Sequence, residues 1–275
     1  DVDAIREIFA DQVALANKEL PPFDGTIVEI SVPGISGNPE VPVRICRQNG
    51  AAHPEAVLIW LHGGGYVVGT ADDMAVYRYT PTMTVVSVDY RMAPEHRSPA
   101  AAEDACAAIE WVAANAESLG IDPSRIVIGG ASAGGGLTAG AALMNRDRKG
   151  PNLLYQMMLY PMIDDTHDTV SGHLDLPKYT WTRDMSMKAW SVYAEKGGAT
   201  PYAAAARAKD LSGLPPAYLM TGGLDLFRDE TVAYASRLMA EGIAVDLAVF
   251  PGALHAFDVL APDSSISKRT TSHHL

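Results

Sequence analysis

Three side chains in this sequence have the types needed to move a proton and carry a covalent intermediate. Ser132 sits in Gly130-Ala131-Ser132-Ala133-Gly134, a match to G-x-S-x-G. Asp225 closes Gly222-Gly223-Leu224-Asp225, and His255 lies within Pro251-Gly252-Ala253-Leu254-His255-Ala256-Phe257. A serine hydroxyl is too weak an acid to attack a carbonyl alone, so a histidine must take its proton. A carboxylate behind the imidazole fixes its tautomer and stabilises its charged form. The three residues are far apart in the chain, so this chemistry is open to them only if the fold brings three separate loops to one edge.

The elements around them supply that geometry. Ile126-Val127-Ile128 is a short apolar run of the kind that makes a buried parallel strand. Gly129 and Gly130 break it, and small residues from Ala131 to Ala142 let a helix start at once. A serine on so sharp a strand-to-helix turn is held in a strained backbone with its hydroxyl pointing away from the sheet. Two plainer readings compete. One is a tight turn with no chemistry. The other is a dinucleotide-binding turn, which needs G-x-G-x-x-G and an acidic residue about 20 positions on. The glycine spacing here is wrong for the second, and the region near Asn152 offers no such acid.

Taken in order, residues 3–20 read as an amphipathic helix with Ile5, Ile8, Phe9, Val13 and Ala16 on one face, stopped by Pro21-Pro22. Thr26–Val32 and Val41–Arg47 alternate like antiparallel strands. Ala56–Leu61 is an apolar strand that runs into His62-Gly63-Gly64-Gly65-Tyr66. Consecutive glycines cost backbone entropy, but they expose N–H groups that a ligand oxygen can approach. This is the type of loop that donates to an oxyanion. A flexible loop is the plain alternative; a phosphate loop would want Lys-Ser/Thr next, where Tyr66-Val67 stands.

Thr84–Tyr90 is the next strand, with Ser98 expected to cap the helix that follows and Pro99 at its first position. Its buried face is Ala102, Ala105, Cys106, Ile109, Val112 and Ala116. Glu103 and Asp104 fall in the first turn, where the dipole favours acids, and Gly120 ends it. After the serine turn, a helix runs to about Asn145 and Leu153–Ile163 is another strand. Asp164–Asp210 interrupts the β-α alternation, with its best helix at Met185–Lys196, and reads as an inserted cap. Trp181, Met185, Met187 and Trp190 either line an acyl pocket or form the cap's own small core. Ala217–Thr221 resumes the sheet. A helix over Arg228–Glu241 follows, with Val232, Ala235, Leu238 and Met239 inward, then the strand Val245–Phe250. Strands alternating with helices give a mostly parallel sheet covered on both faces.

In such sheets, sites lie beyond the C-terminal ends of the strands. Ser132, Asp225 and His255 each follow a different strand by a few residues, so all three reach one edge. His53, His62, His96, His167, His173, His273 and His274 do not follow a late strand in this way. Asp225 could instead only cap the next helix, and Asp229 is a second acidic candidate, though it should lie inside that helix.

The bulk properties narrow the partners. The 275 residues, 48% hydrophobic, suit one large α/β domain with or without an inserted lobe. A net charge of -12 argues against a nucleic-acid or anionic-membrane surface, since both need a basic patch. No apolar run reaches the roughly 18 residues of a membrane span. Cys46 and Cys106 are too few for a disulfide framework and read as small buried hydrophobes. Asp1-Val2-Asp3 lacks the basic and apolar regions of a signal peptide. The expected setting is cytoplasmic, with a start that is processed or lies upstream. The closing Ser272-His273-His274-Leu275 reads as an appended remnant or a shortened final helix, not a functional cluster.

Five stretches together resemble the hormone-sensitive-lipase-like family of bacterial carboxylesterases, within the α/β-hydrolase superfamily. They are His62-Gly-Gly-Gly-Tyr66, Asp89-Tyr-Arg-Met-Ala-Pro-Glu-His96, Gly130-Ala-Ser-Ala-Gly134, Leu224-Asp-Leu-Phe-Arg-Asp-Glu230 and Pro251-Gly-Ala-Leu-His-Ala-Phe257. The resemblance spans about residues 55–258. It implies Ser132 as nucleophile, His255 as base and Asp225 as its partner. It implies oxyanion donors at the N–H groups of Gly64, Gly65 and Ala133, with Gly63 shaping the loop and His62 bracing it. Arg91 and Glu95 would hold the segment beneath the site, and Tyr66, Trp181, Met185 and Trp190 would border the substrate. The family layout implies an N-terminal cap arm at 1–24, a catalytic domain at 25–163 and 211–275, and a cap segment at 164–210. Two features depart from it. Ala131 stands where many relatives carry Asp, and the N-terminal arm is short.

The expected function is a serine carboxylesterase acting on short-to-medium acyl esters, with no metal or cofactor. The closest rival is a hydrolase of amides, lactones or carbamates on the same fold. A receptor using a disabled pocket should have lost one of the three residues, and all are present. Homodimerisation through Val245–Phe250 is a further expectation.

Overall fold

The computed structural model describes residues 2–7, 9, 22–50, 56–72, 74–177, 180–195 and 198–274. Eight strands form one sheet in the order β1-β2-β4-β3-β5-β6-β7-β8. They are β1 (Gly25–Val32), β2 (Val41–Gln48), β3 (Val57–Leu61), β4 (Thr84–Val88), β5 (Ile126–Ala131), β6 (Tyr155–Leu159), β7 (Ala217–Gly222) and β8 (Val245–Phe250). β2 is antiparallel to β1 and to β4. All pairings from β4 through β3 and β5 to β8 are parallel.

The central strands are buried on both sides: β3 is apolar at every position, and β4 is fully buried with Thr84 and Ser87 among its valines. Alternate side chains go to opposite faces. Val57, Ile59 and Leu61 join one core with Val86, Val88, Ile126 and Ile128, while Leu58 and Trp60 join another with Val85, Met157 and Leu159. The first core is closed by α1 (Ala100–Ala114) and α2 (Ala133–Asp147). Cys46 and Cys106 are both free and buried, and burial pushes their thiols up to about 11 and about 12.

Of the two acids expected in the first turn of α1, only Glu103 lies there, and Asp104 has a different role. It is buried, accepts the Arg91 backbone N–H at 2.8 Å, and takes the Arg91 guanidinium through both oxygens at 2.8–3.0 Å. Arg91 thus ties the 89–96 segment to α1. Ser98 is not the α1 cap. Pro99 occupies that position with no side-chain cap, and Ser98 instead donates to Glu195 at 3.1 Å. Residues 2–7 are helical with Val2 and Ile5 buried, while most of the expected 3–20 helix lies outside the described residues. Arg6 grips Glu95 with two nitrogens at 2.7 and 2.9 Å and donates to the carbonyls of Val67 and Ala93 at 2.8 and 3.1 Å. The Arg6 hydrogen bonds bring the Glu95 carboxyl down to about 2.

Several expected elements differ. Gly129 and Gly130 do not break β5, because both stay paired with β3 and β6 and the strand continues to Ala131. Strand β6 ends at Leu159 rather than Ile163, because Tyr160 turns out of the sheet at φ 37 and residues 160–163 are recruited to hold neighbouring loops. In α4 (Arg228–Ala240), Ala235 and Leu238 are buried, but Val232 and Met239 are 38% and 50% exposed. Glu230, Thr231 and Tyr234 take the inward face instead. The helix of the 164–210 segment, α3, runs Arg183–Tyr193, with Thr182 accepting from the Met185 N–H as its cap. Among the described residues, no helix is long and apolar enough to cross a membrane.

Candidate active site

Ser132 occupies the turn between β5 and α2 at φ 57, ψ −118, outside the regions open to most L-residues. Three hydrogen bonds hold it there. Its N–H donates to Leu159 O at 2.9 Å, and its carbonyl accepts from Gly136 N–H and Met162 N–H, both at 3.0 Å. The turn is tight enough that a Cβ on Gly134 would strike the Leu61 carbonyl. Gly130 near the end of β5 and Gly134, Gly135 and Gly136 at the start of α2 are therefore set by close backbone approach.

From that turn the Ser132 hydroxyl meets His255. The Oγ–Nε2 distance is 2.9 Å, and His255 Nδ1 lies 3.0 and 3.2 Å from the two Asp225 oxygens. All three residues are buried. An ionised carboxylate can only accept, so it draws the imidazole proton to Nδ1 and leaves Nε2 to accept from the serine. Asp225 is oriented in turn by the Phe227 N–H, which donates to Oδ1 at 2.9 Å. Asp229 is elsewhere: it accepts from Ser171 N–H at 2.8 Å and pairs with Arg228 at 2.7 Å. The His255 ring stands at steep angles to Phe227 and Tyr160, with centroids 5.2 and 4.9 Å away.

The glycine loop lies alongside. Gly64 at φ +113 and Gly65 at φ +60 take conformations that side chains disfavour. A Cβ built on Gly63 would come within 3.5 Å of the Ser132 Cβ. The Gly64 carbonyl is turned inward, accepting from Val67 and Val68 N–H at 3.1 Å. Among the described residues, no acceptor takes the N–H groups of Gly64, Gly65 or Ala133. Ala133 opens α2, where first-turn N–H groups lack helical partners and the dipole favours negative charge. His62 stacks on Tyr90 at 4.2 Å and its Nδ1 lies 2.7 Å from Gly63 O, so it braces the loop from behind.

A family model described as alpha/beta hydrolase fold matches residues 58–259. Carboxylesterase NlhH of Mycobacterium tuberculosis is 36% identical over 246 residues, covering 84% of this chain and 75% of that protein. An arylesterase of Saccharolobus solfataricus is 33% identical over 235 residues, covering 79% and 73%. Among solved structures, a bacterial heroin esterase has a TM-score of 0.93 at 37% identity, covering 99% of this chain and 89% of its own. The chain belongs to the hormone-sensitive-lipase-like α/β-hydrolases.

Around this α/β-hydrolase site, the pocket candidates divide. Tyr66, at φ 65, is fully buried; it stacks on Tyr193 at 3.9 Å and donates to Met162 O at 2.6 Å. Trp190 packs against the same pair, so Tyr66 and Trp190 form an aromatic core. The Trp181 indole is also buried, but its six-membered ring lies against Gly65, where a Cβ on that glycine would strike it. Met185 is partly buried against the core and Met187 is half exposed. Ala131 is partly buried and leaves no charge beside Ser132.

Sequence reasoning missed Tyr160, Phe227, Glu230 and Asp258. All four are buried; Tyr160 and Asp258 lie outside the quoted motifs, while Phe227 and Glu230 lie within Leu224–Glu230 but were given no role there. Glu230 lies in the first turn of α4, and its Oε1 accepts the N–H groups of Ile163 and Asp164 at 2.8 and 3.2 Å. Burial drives its carboxyl well above the usual 4.5; nearby Asp164 and Asp225 add to this and the backbone donors oppose it. The fold therefore favours the neutral acid. Its stabilising contribution is complete below the ordinary carboxylate range. It is lost as pH rises toward the folded value, because the unfolded chain releases this proton first. Glu230→Gln keeps the acceptor and removes the charge. The variant is expected to match the native melting temperature near pH 4 and exceed it by a margin that widens toward pH 8. Differential scanning calorimetry across that range checks this, and a margin that shrinks with pH would contradict it.

Proposed function

We propose that this chain is a carboxylic ester hydrolase working through an acyl-enzyme on Ser132. The observation that carries the reading is the unbroken line Ser132 Oγ–His255 Nε2, His255 Nδ1–Asp225, at 2.9 and 3.0 Å. His255 takes the serine proton as Oγ attacks the ester carbonyl. The carbonyl oxygen becomes an oxyanion and accepts from the N–H groups of Gly64, Gly65 and Ala133, which have no competing partner among the described residues. His255 then gives its proton to the leaving alcohol. The same imidazole activates water, which attacks the acyl carbon and regenerates Ser132. Asp225 stabilises the imidazolium in both halves and stays ionised.

Residues 1–24 and 164–210 act in this reading as a cap over the catalytic domain of 25–163 and 211–275. Two contacts support it. Arg6 binds Val67 O next to the oxyanion loop, and Trp181 rests on Gly65. The indole closes one side of the site, which favours short-to-medium acyl groups. The names of the relatives, carboxylesterase and arylesterase, agree with small esters.

The test is hydrolysis of p-nitrophenyl esters from acetyl to palmitoyl by the native chain and by Ser132→Ala. Activity should peak below the long acyl chains, and the mutation should lower kcat by at least about 10⁴-fold. Full activity in Ser132→Ala would sink the mechanism. We further propose a homodimer that joins β8 strands, because β8 is a sheet edge bearing Leu247 and Val249 at 37% and 41% exposure. Sedimentation velocity should give a dimer that Val249→Lys converts to monomer; a monomer at all concentrations would refute it.

A further inference from the structure

The loop that carries His255 is anchored by a buried charge cluster outside the triad. Asp258 lies three residues beyond His255, in the short helix Phe257–Leu260. Between them Ala256 takes a left-handed conformation, φ 55, ψ 28, so the chain doubles back sharply. Asp258 is buried and uses both oxygens. Oδ1 accepts from the Tyr160 hydroxyl at 2.9 Å, and Oδ2 pairs with Arg78 at 3.0 Å. Arg78 comes from the six-residue 3-10 helix Met74–Tyr79 just before β4, so the pair joins positions 180 residues apart. Tyr160 is itself fixed, its N–H donating to Met220 O on β7 at 2.6 Å despite its positive φ.

Tyr160 touches both partners. Its hydroxyl holds Asp258, and its ring faces the His255 imidazole at 4.9 Å and 70°. Burial keeps its phenol protonated far above neutral pH, so it remains a donor to the carboxylate. With Phe227 on another side, the imidazole has a slot bounded by two rings. A one-ångström error in a reacting group costs about 10²-fold in rate. A left-handed alanine beside the base leaves the imidazole free to drift unless both flanks are held.

We propose that Asp258, clamped by Arg78 and Tyr160, is a positioning residue that sets His255 at hydrogen-bonding distance from Ser132. The inference rests on the reading of His255 as the base acting on Ser132. Asp258 does not touch the reacting atoms; it acts through the loop and through Tyr160. Among the described residues, the charged and titratable groups facing His255 or its anchor include Asp225 after β7, Tyr160 after β6, Asp258 in its own helix and Arg78 before β4, with Tyr79 near Arg78 and Tyr218 on β7 near Asp258.

The experiment measures kcat, KM and the pH profile of kcat/KM on a short p-nitrophenyl ester, beside a melting curve, for four variants. Asp258→Asn should lower kcat about 10- to 100-fold while KM moves less than about threefold, as expected for a misplaced base. The acid limb of its kcat/KM profile should move to lower pH, because removing the Asp258 negative charge disfavours the imidazolium. Arg78→Lys keeps a cation for Asp258 and should retain most of kcat. Tyr160→Phe keeps the ring and loses the hydroxyl, and should lower kcat by about threefold to tenfold. It carries the test if Asp258→Asn does not fold. Asp258→Asn combined with Tyr160→Phe should be no worse than Asp258→Asn alone, since both break one link. Native kcat and pH profile in folded Asp258→Asn and in Tyr160→Phe, with only the melting temperature lowered, would overturn the inference. Ser132→Ala run alongside separates the two failures. An inactive Ser132→Ala with a native-like Asp258→Asn removes the positioning role alone, whereas an active Ser132→Ala removes the triad reading and this inference with it.

Discussion

Ser132 is held where a side chain normally cannot be, and the rest of the structure follows from holding it there. A residue at φ 57, ψ −118 costs about 1–3 kcal/mol. It persists because Leu159, Gly136 and Met162 bond its backbone on both sides. Those bonds require the Gly134 backbone to lie against Leu61, which excludes any side chain at that glycine. They also require residues 160–163 to leave the sheet early, since Met162 must reach the serine carbonyl. The same departure brings Ile163 and Asp164 to Glu230 and puts Tyr160 beside His255. One strained turn thus determines where β6 stops and which buried groups surround the site.

The electrostatic layout is consistent with that constraint. The N-terminus of α2 and the glycine loop present N–H groups with no protein acceptor among the described residues, on the side where negative charge would develop. Among the described residues, the carboxylate in contact with His255 is Asp225, on the far side of the imidazole from Ser132. The other nearby acids are handled differently. Glu230 is pushed toward its neutral form by burial, and Asp258 is paired with Arg78. A field from either acid opposing the oxyanion is thereby reduced. Ala131 brings no charge to the position before Ser132, which acts in the same direction.

Much of this was legible in the sequence, for a physical reason. Strands buried on both faces read as mainly apolar runs, so β3, β4, β5 and β7 were visible, and loops after their C-terminal ends had to share an edge. Triple glycine after β3 and small residues after β5 announced close backbone approach. What stayed hidden were choices that tertiary contacts make. The face of α4 could not be read from apolar spacing because Glu230, Thr231 and Tyr234 go inward to meet polar partners while Val232 and Met239 face out. Ser98 looked like a cap but is drawn to Glu195 in the distant 164–210 segment. The Arg78–Asp258–Tyr160 cluster joins three unrelated stretches, and no local pattern marks any of them.

The claim at the centre of this account is that Ser132 becomes covalently acylated during turnover. The most direct measurement is acid-quenched mass spectrometry of the native chain during hydrolysis of a slowly deacylating ester, followed by mapping of the modified peptide. The account predicts a rapid rise of protein carrying the mass of one acyl group, located on the peptide containing Ser132, that decays as substrate is exhausted. Steady ester hydrolysis with no acyl adduct, or with the adduct on another residue, would contradict it.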